Sequence, residues 1–376
     1  MNVLLVNTFV ASGAGGQERV ALDLALGLHE AGHNVVILGP YSHSRALRQR
    51  IPPEIDLCED PWLNLRPGRR ESHLPLFRTA LRLIRSHSIE IVSGHGRMFG
   101  VYGACRMAGI PLIWTAHGVD MSKYEARVTL KARAIRAAFR FLAKDRRGCF
   151  VGVSQFTSRT FLPMFQPAQP AHLVTILNGI SSLPALLALP APDYRGPLHI
   201  GFVGRLEEIK GIFDLPSIAL GLRRRGVAFT LLIYGDGGMD QKLREGFAHA
   251  GFDDTLVRFM GYESVVTKIY SGLHVTLHLS RKDWFPSTVI ESTAAGRPVI
   301  AYDAGGVPEI VKDGQTGILC RPGATKEIVD RLVEVGKNHD ILTSMATQGK
   351  ASMASQFTVA RMVKDYVQLF YRMLSK

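Results

Sequence analysis

The sequence of 376 residues is short of several things at once. Its four cysteines (Cys58, Cys105, Cys149 and Cys320) lie far apart, with no Cys-x-x-Cys pair and no histidine at ligand spacing beside them. That excludes a disulfide framework and a structural zinc site. No uninterrupted apolar run reaches the roughly 18 residues that a bilayer-crossing helix needs, so no membrane span is expected. Solenoid repeats and low-complexity tracts are missing too. At 46% hydrophobic and 20% charged the chain is a folded one, with length for about two domains. Its start, Met-Asn-Val-Leu-Leu-Val-Asn, carries no basic leader, and reads as a buried first strand; the expected location is the cytoplasm.

Acid is in the minority: 45 Lys and Arg against 32 Asp and Glu leave a net charge of +13. Residues 1–185 hold 22 basic and 12 acidic side chains, a net +10, and the remainder 23 and 20, a net +3. Arg133, Arg136, Arg140, Lys144 and Arg147 recur at steps of three or four, with Ile135, Ala138, Phe139 and Leu142 on the opposite side of the same predicted helix. Two readings stay open: an ordinary surface helix, or one whose basic face docks on an anionic membrane. No nucleic-acid-binding motif accompanies the charge, so nucleic acid is not an expected partner.

Short Val/Ile/Leu-rich runs alternate with longer helical patterns, the signature of a parallel sheet wrapped by helices. Val3–Val6, Val35–Leu38, Ile89–Ser93, Leu112–Thr115 and Cys149–Val153 form one series of strands, with a helix over Gln17–Glu30. The Pro- and Ala-rich stretch from Leu183 to Pro192 reads as a linker. The series restarts with Leu198–Val203 and continues through Phe229–Tyr234, Val257–Met260, Val275–Leu279 and Pro298–Tyr302. The expected fold is therefore α/β, two tandem doubly wound Rossmann-like domains over residues 1–185 and 186–356. Residues 357–376 form a terminal helix that packs back towards the first domain. In such folds ligands bind beyond the carboxyl ends of the strands.

The motifs follow strands directly. Gly13-x-Gly15-Gly16 suits a phosphate at a helix N-terminus, but Glu18 stands where a dinucleotide fingerprint has its last glycine, which disfavours a Rossmann oxidoreductase. Gly204-Arg205-x4-Lys210-Gly211 places a guanidinium and an ammonium five residues apart, suited to a diphosphate. In Asp283-Trp284-Phe285-Pro286-Ser287-Thr288-Val-Ile-Glu291 a carboxylate sits on a proline-containing loop and a second one lies about a turn into the next helix, whose N-terminus is at Ser287 and Thr288. Each motif also has a plainer reading: a tight turn, exposed salt bridges, an acidic helix start.

These motifs in this order, with Gly15-Gly16-x-Glu-Arg19, Thr115-Ala-His117-Gly118, Asn178-Gly179 and Gly305-Gly306-Val-Pro-Glu309, make the chain resemble glycosyltransferase family 4 over nearly its whole length. The resemblance implies the GT-B fold with an interdomain cleft, a UDP- or GDP-sugar donor, retention of configuration, and no metal or other cofactor. It also implies residue roles. Arg205 and Lys210 take the diphosphate, and Glu291 the ribose. Asp283 with the amides of Trp284, Phe285 and Pro286 holds the transferred sugar. Gly15 and Gly16 approach the phosphates, and His117 contacts the donor sugar. Asp283 replaces the family's usual glutamate, so its carboxylate reaches about one methylene less far. Relatives of this kind act on glycan or lipid-linked acceptors in surface polysaccharide or glycolipid synthesis, or else on small soluble acceptors. A nucleotide-sugar epimerase needs further acid-base carboxylates, and a nucleic-acid-binding protein leaves Asp283-x7-Glu291 unexplained.

Overall fold

Residues 1–8, 15–59, 73–96, 98–118, 137, 139–165 and 172–375 are described in the computed structural model. The chain divides into two compact units, Met1–Ile180 with Val359–Lys376, and Ser181–Thr358. Helices of eight or more residues are labelled below.

The first unit is a parallel sheet of β1 (Asn2–Asn7), β2 (Asn34–Leu38), β3 (Asp56–Cys58), β4 (Ile91–His95), β5 (Leu112–Ala116), β6 (Gly148–Gly152) and β7 (Leu173–Thr175), in the order β3-β2-β1-β4-β5-β6-β7. Val3, Leu4, Leu5 and Val6 are all fully buried because helices cover both faces of the sheet. Alternation sends Leu4 and Val6 to one core and Val3 and Leu5 to the other. The first core is completed by α2 (His73–Ser86), α3 (Phe99–Ala108) and α4 (Gln155–Phe165), the last contributing Phe161 and Phe165. The second core takes the apolar faces of α1 (Gly16–Glu30) and the C-terminal helix Val359–Leu374. A Cβ on Gly27 of α1 would lie 2.5 Å from Val363, so glycine allows these two helices to touch.

The second unit is a parallel sheet of β8 (Leu198–Val203), β9 (Phe229–Tyr234), β10 (Val257–Gly261), β11 (Val275–His278), β12 (Val299–Tyr302) and β13 (Gly317–Cys320), in the order β10-β9-β8-β11-β12-β13. Its helices are α5 (Leu215–Arg224), α6 (Asp240–His249), α7 (Ser287–Ala294), α8 (Thr325–Lys337) and α9 (His339–Gln356), and α10 is the Val359–Leu374 helix of the first unit. Strand order reverses between β1 and β4 in one sheet and between β8 and β11 in the other. In doubly wound sheets ligands bind outside the carboxyl ends of the strands at that reversal.

Three strands were not expected from the sequence. β3, β7 and β13 are edge strands of three or four residues, and β3 and β7 have no fully buried position that would mark them as apolar runs. The stretch read as a linker is no linker: Ser181 already belongs to the second unit, Leu183–Leu187 is a short helix, and Leu183 and Leu186 are buried. Lys350 Nζ donates to the carbonyl of Leu187 at 3.0 Å and Arg297 to that of Pro190 at 2.9 Å, which fixes the proline-rich segment to the unit.

The basic helix also differs from expectation. Arg133, Arg136, Ile135 and Ala138 lie outside the described residues. Phe139 and Leu142 are buried as expected, but the helix ends at Ala143, so Lys144 and Arg147 leave its face. Asp145 stops it: its carboxylate accepts from the Arg147 amide at 3.0 Å and from Tyr102 at 2.9 Å, and Gly148 then opens β6. Among the described residues no helix is long and apolar enough to cross a membrane.

Candidate functional site

In the second unit the loops beyond the carboxyl ends of β8 and β11 bring two of the expected charges, Lys210 and Asp283, together. Beyond β8 the chain turns through Gly204 and Arg205 into a single 3-10 turn, Glu208–Lys210. Gly211 ends that turn at φ 70°, and a Cβ there would lie 2.0 Å from the Leu279 carbonyl, so the Lys-Gly pair in the sequence reflects a close backbone approach to the loop after β11. This approach sets Lys210 Nζ 2.7 Å from Asp283 Oδ2. Asp283 Oδ1 accepts from the Trp284 amide at 2.9 Å.

Asp283 is in turn fixed from beneath. Its carbonyl accepts from the Gly306 amide at 2.8 Å, and Gly305, at φ 64°, passes so close that a Cβ would sit 1.9 Å from that oxygen. Burial works against ionisation of the Asp283 carboxyl, but Lys210 and His278 overcome it and hold its pKa well below the carboxylate range. The His278 ring is buried at the end of β11, its Nε2 3.3 Å from Asp283 Oδ2 but outside hydrogen-bond geometry.

Pro286 holds an extended backbone, φ −72° and ψ 114°, and α7 begins at Ser287. Glu291, one turn on, is buried, and its Oε2 accepts from the Tyr270 hydroxyl at 3.1 Å. Tyr270, His278 and Thr288 line a small cleft together with Val203 at the end of β8. The Arg205 guanidinium lies 2.6 Å from Glu207 and is about half exposed. Among the described residues no group of three or more His, Cys, Asp or Glu side chains lies close enough to share a metal ion.

In the first unit Gly13 lies outside the described residues, Gly15 precedes α1 with an extended backbone, and Gly16 is the helix's first residue. Glu18, the residue that broke the dinucleotide fingerprint, is buried in the first turn of α1, where a Cβ on Gly15 would meet its carboxylate at 2.5 Å. His117 follows β5, and its Nε2 lies 2.8 Å from Nδ1 of His95, the last residue of β4. Burial pulls the pKa of His117 down to about 3 and that of His95 well below the usual range.

Residues 197–338 match the family described as Glycosyl transferases group 1, and residues 14–182 match Glycosyltransferase Family 4. The chain is a family 4 glycosyltransferase. Glycogen synthase of Mycobacterium tuberculosis is 26% identical over 334 residues, covering 82% of this chain and 79% of the relative. The N-acetyl-alpha-D-glucosaminyl L-malate synthase of Bacillus anthracis is 28% identical over 144 residues, 38% of each chain. The fold of the Anabaena protein HepE, solved in complex with UDP, superposes with a TM-score of 0.79 at 18% identity, covering 99% of this chain and 100% of that one.

The glycosyltransferase thus has Lys210, Asp283, Trp284 and the start of α7 in one neighbourhood of its second unit. His278 and Tyr270 join them, and sequence reasoning singled out neither. A histidine closing an apolar strand reads as core, and its relevance appears only when the loop folds Asp283 back over it.

Proposed function

We propose that this glycosyltransferase moves a sugar from a UDP- or GDP-sugar to a hydroxyl acceptor, with retention of configuration and without a metal cofactor. The observation that carries the reading is the Lys210–Asp283 pair at the reversal of strand order between β8 and β11, beside the N-terminus of α7. A preplaced ammonium stabilises negative charge as it develops on the leaving diphosphate oxygen, favouring the transition state over the ground state. Arg205, half exposed, swings to the same diphosphate by exchanging its surface partner Glu207, a weak contact to give up. Glu291 takes the ribose hydroxyls. Asp283, with the amides of Trp284, Phe285 and Pro286 and the α7 start at Ser287 and Thr288, takes the transferred sugar. His117 contacts that sugar, and Gly15 and Gly16 let the backbone approach the phosphates. The UDP complex of HepE supports a uridine donor.

For the acceptor, the net +10 of residues 1–185 favours a glycan or lipid-linked hydroxyl at an anionic membrane, as in surface polysaccharide or glycolipid synthesis. A second reading, a small soluble acceptor, is favoured by the relative whose name specifies L-malate.

The donor site is tested by calorimetric titration with UDP- and GDP-sugars and by turnover of Lys210→Ala. A fall of at least about tenfold in turnover is expected, since the lost charge acts on the leaving group, measured well below a thermal midpoint that also falls because the buried Asp283 loses its cation. Near wild-type turnover in that variant removes the diphosphate assignment.

A further inference from the structure

His95 lies against His117, and the resemblance gives His95 no role. Their ring centroids lie 5.1 Å apart, with His95 Nδ1 2.8 Å from His117 Nε2 and His95 Nε2 3.5 Å from Ser93 Oγ. His95 has no exposed surface, and its strand is fixed on both sides, by β1 and by β5. The Thr8 amide donates to the His95 carbonyl at 3.0 Å, and the Trp114 indole N–H donates to Gly96 at 2.8 Å, so the backbone carrying His95 has little freedom. His117 is partly exposed, and its Nδ1 has no hydrogen-bond partner among the described residues.

A hydrogen bond between two imidazoles needs a hydrogen on one nitrogen and a bare lone pair on the other. Two cationic rings would oppose N–H to N–H at 2.8 Å, so the pair carries at most one positive charge, and burial disfavours even that. Two neutral arrangements remain. Either His95 donates from Nδ1 and His117 keeps its hydrogen on Nδ1, or His117 donates from Nε2 and its Nδ1 is bare. In both, His95 decides which nitrogen of His117 carries the proton.

We propose that His95 is a positioning residue, which holds His117 as a neutral imidazole in a single tautomer and leaves Nδ1 for a hydroxyl of the bound sugar. This rests on the part given to His117 above. Its value lies in the charge: a neutral ring does not repel the positive charge that builds up on the sugar carbon, and a fixed tautomer costs no reorganisation when that charge appears.

The test uses the full chain with 15N-labelled histidine rings. In the wild type, His117 is expected to show one protonated and one bare ring nitrogen at neutral pH. His95→Leu removes the hydrogen bond and is expected to give averaged ring-nitrogen signals for His117 and a kcat about tenfold or more lower, with the donor KM within about threefold. His95→Asn can return an N–H near the place of Nδ1, and is expected to restore both the single tautomer and most of kcat. A cationic or tautomerically mixed His117 in the wild type overturns the proposal, as does a His95→Leu protein with unchanged signals and kcat. If His95→Leu does not fold, the wild-type spectrum and the asparagine variant still decide. A locked His117 whose replacement by alanine leaves turnover intact would remove the role of His117 in transfer and leave the positioning by His95 standing.

Discussion

Asp283 carries its carboxylate one methylene closer to the backbone than a glutamate would, and Lys210 already holds Oδ2 while the Trp284 amide holds Oδ1. Each oxygen thus has one partner and keeps a lone pair for another, which on the proposed reading is where a sugar hydroxyl would donate. Glu291 is differently placed: Tyr270 engages its Oε2 from within the cleft. Glu291→Gln is therefore expected to weaken nucleotide affinity in a titration more than Asp283→Asn does, and equal losses would mean that the two acids share one task. The depressed pKa of Asp283 has a stability consequence whose sign is fixed. The group contributes above the unfolded carboxylate range of about 4, and the contribution drains away as pH falls below it. Spacing singled out the two acids and the two cations, each with a plainer reading beside it, and only the resemblance gave them roles. The pairing of Lys210 with Asp283 was not legible, because it needs two loops 73 residues apart to meet over Gly211.

At the scale of elements, apolar runs marked every central strand, the edge strand β10 and the terminal helix, and missed the other three edge strands. β3 and β7 leave too few buried positions for a pattern, and the Leu183–Leu187 turn was hidden by the prolines around it. The contact of α1 with α10 shows how finely a legible element is fitted. Gly27→Ala adds helix propensity worth up to about 1 kcal/mol. Against that stands a Cβ placed 2.5 Å from Val363 Cγ2 and 3.0 Å from Val359 Cγ1, both on a helix whose Met362, Tyr366 and Phe370 are locked in the core. Overpacking of this kind costs about 1–3 kcal/mol, so the clash wins and the thermal midpoint is expected to fall. Adding Val363→Ala should recover part of the loss. A midpoint raised by Gly27→Ala alone would show that α10 is free to shift.

Over the whole molecule the charge is uneven, +10 of the net +13 lying in residues 1–185, and the sequence displayed that imbalance without showing its arrangement in space. The helix that ends at Ala143 puts Arg140 on its exposed side, with Lys144 just past its end, and between them Phe141 is 61% exposed although its neighbours Phe139 and Leu142 are buried. A large apolar ring amid cations is costly to leave in water and well suited to the headgroup layer of an anionic bilayer, where each cation adds roughly 1 kcal/mol and the ring adds burial. Arg147 contributes less than its sequence position promised, since its guanidinium donates to the Gly109 carbonyl at 2.9 Å. Co-sedimentation with vesicles containing anionic lipid should therefore show binding at low salt that fades by about half-molar salt, where charges more than a few ångströms apart are screened. Arg140→Gln with Lys144→Gln should weaken it through the charge, and Phe141→Ser should weaken it without changing the salt dependence, because the ring acts by burial. Protein that stays in the supernatant at low salt would sink the membrane-proximal acceptor and leave the small soluble acceptor, with the donor chemistry unaffected.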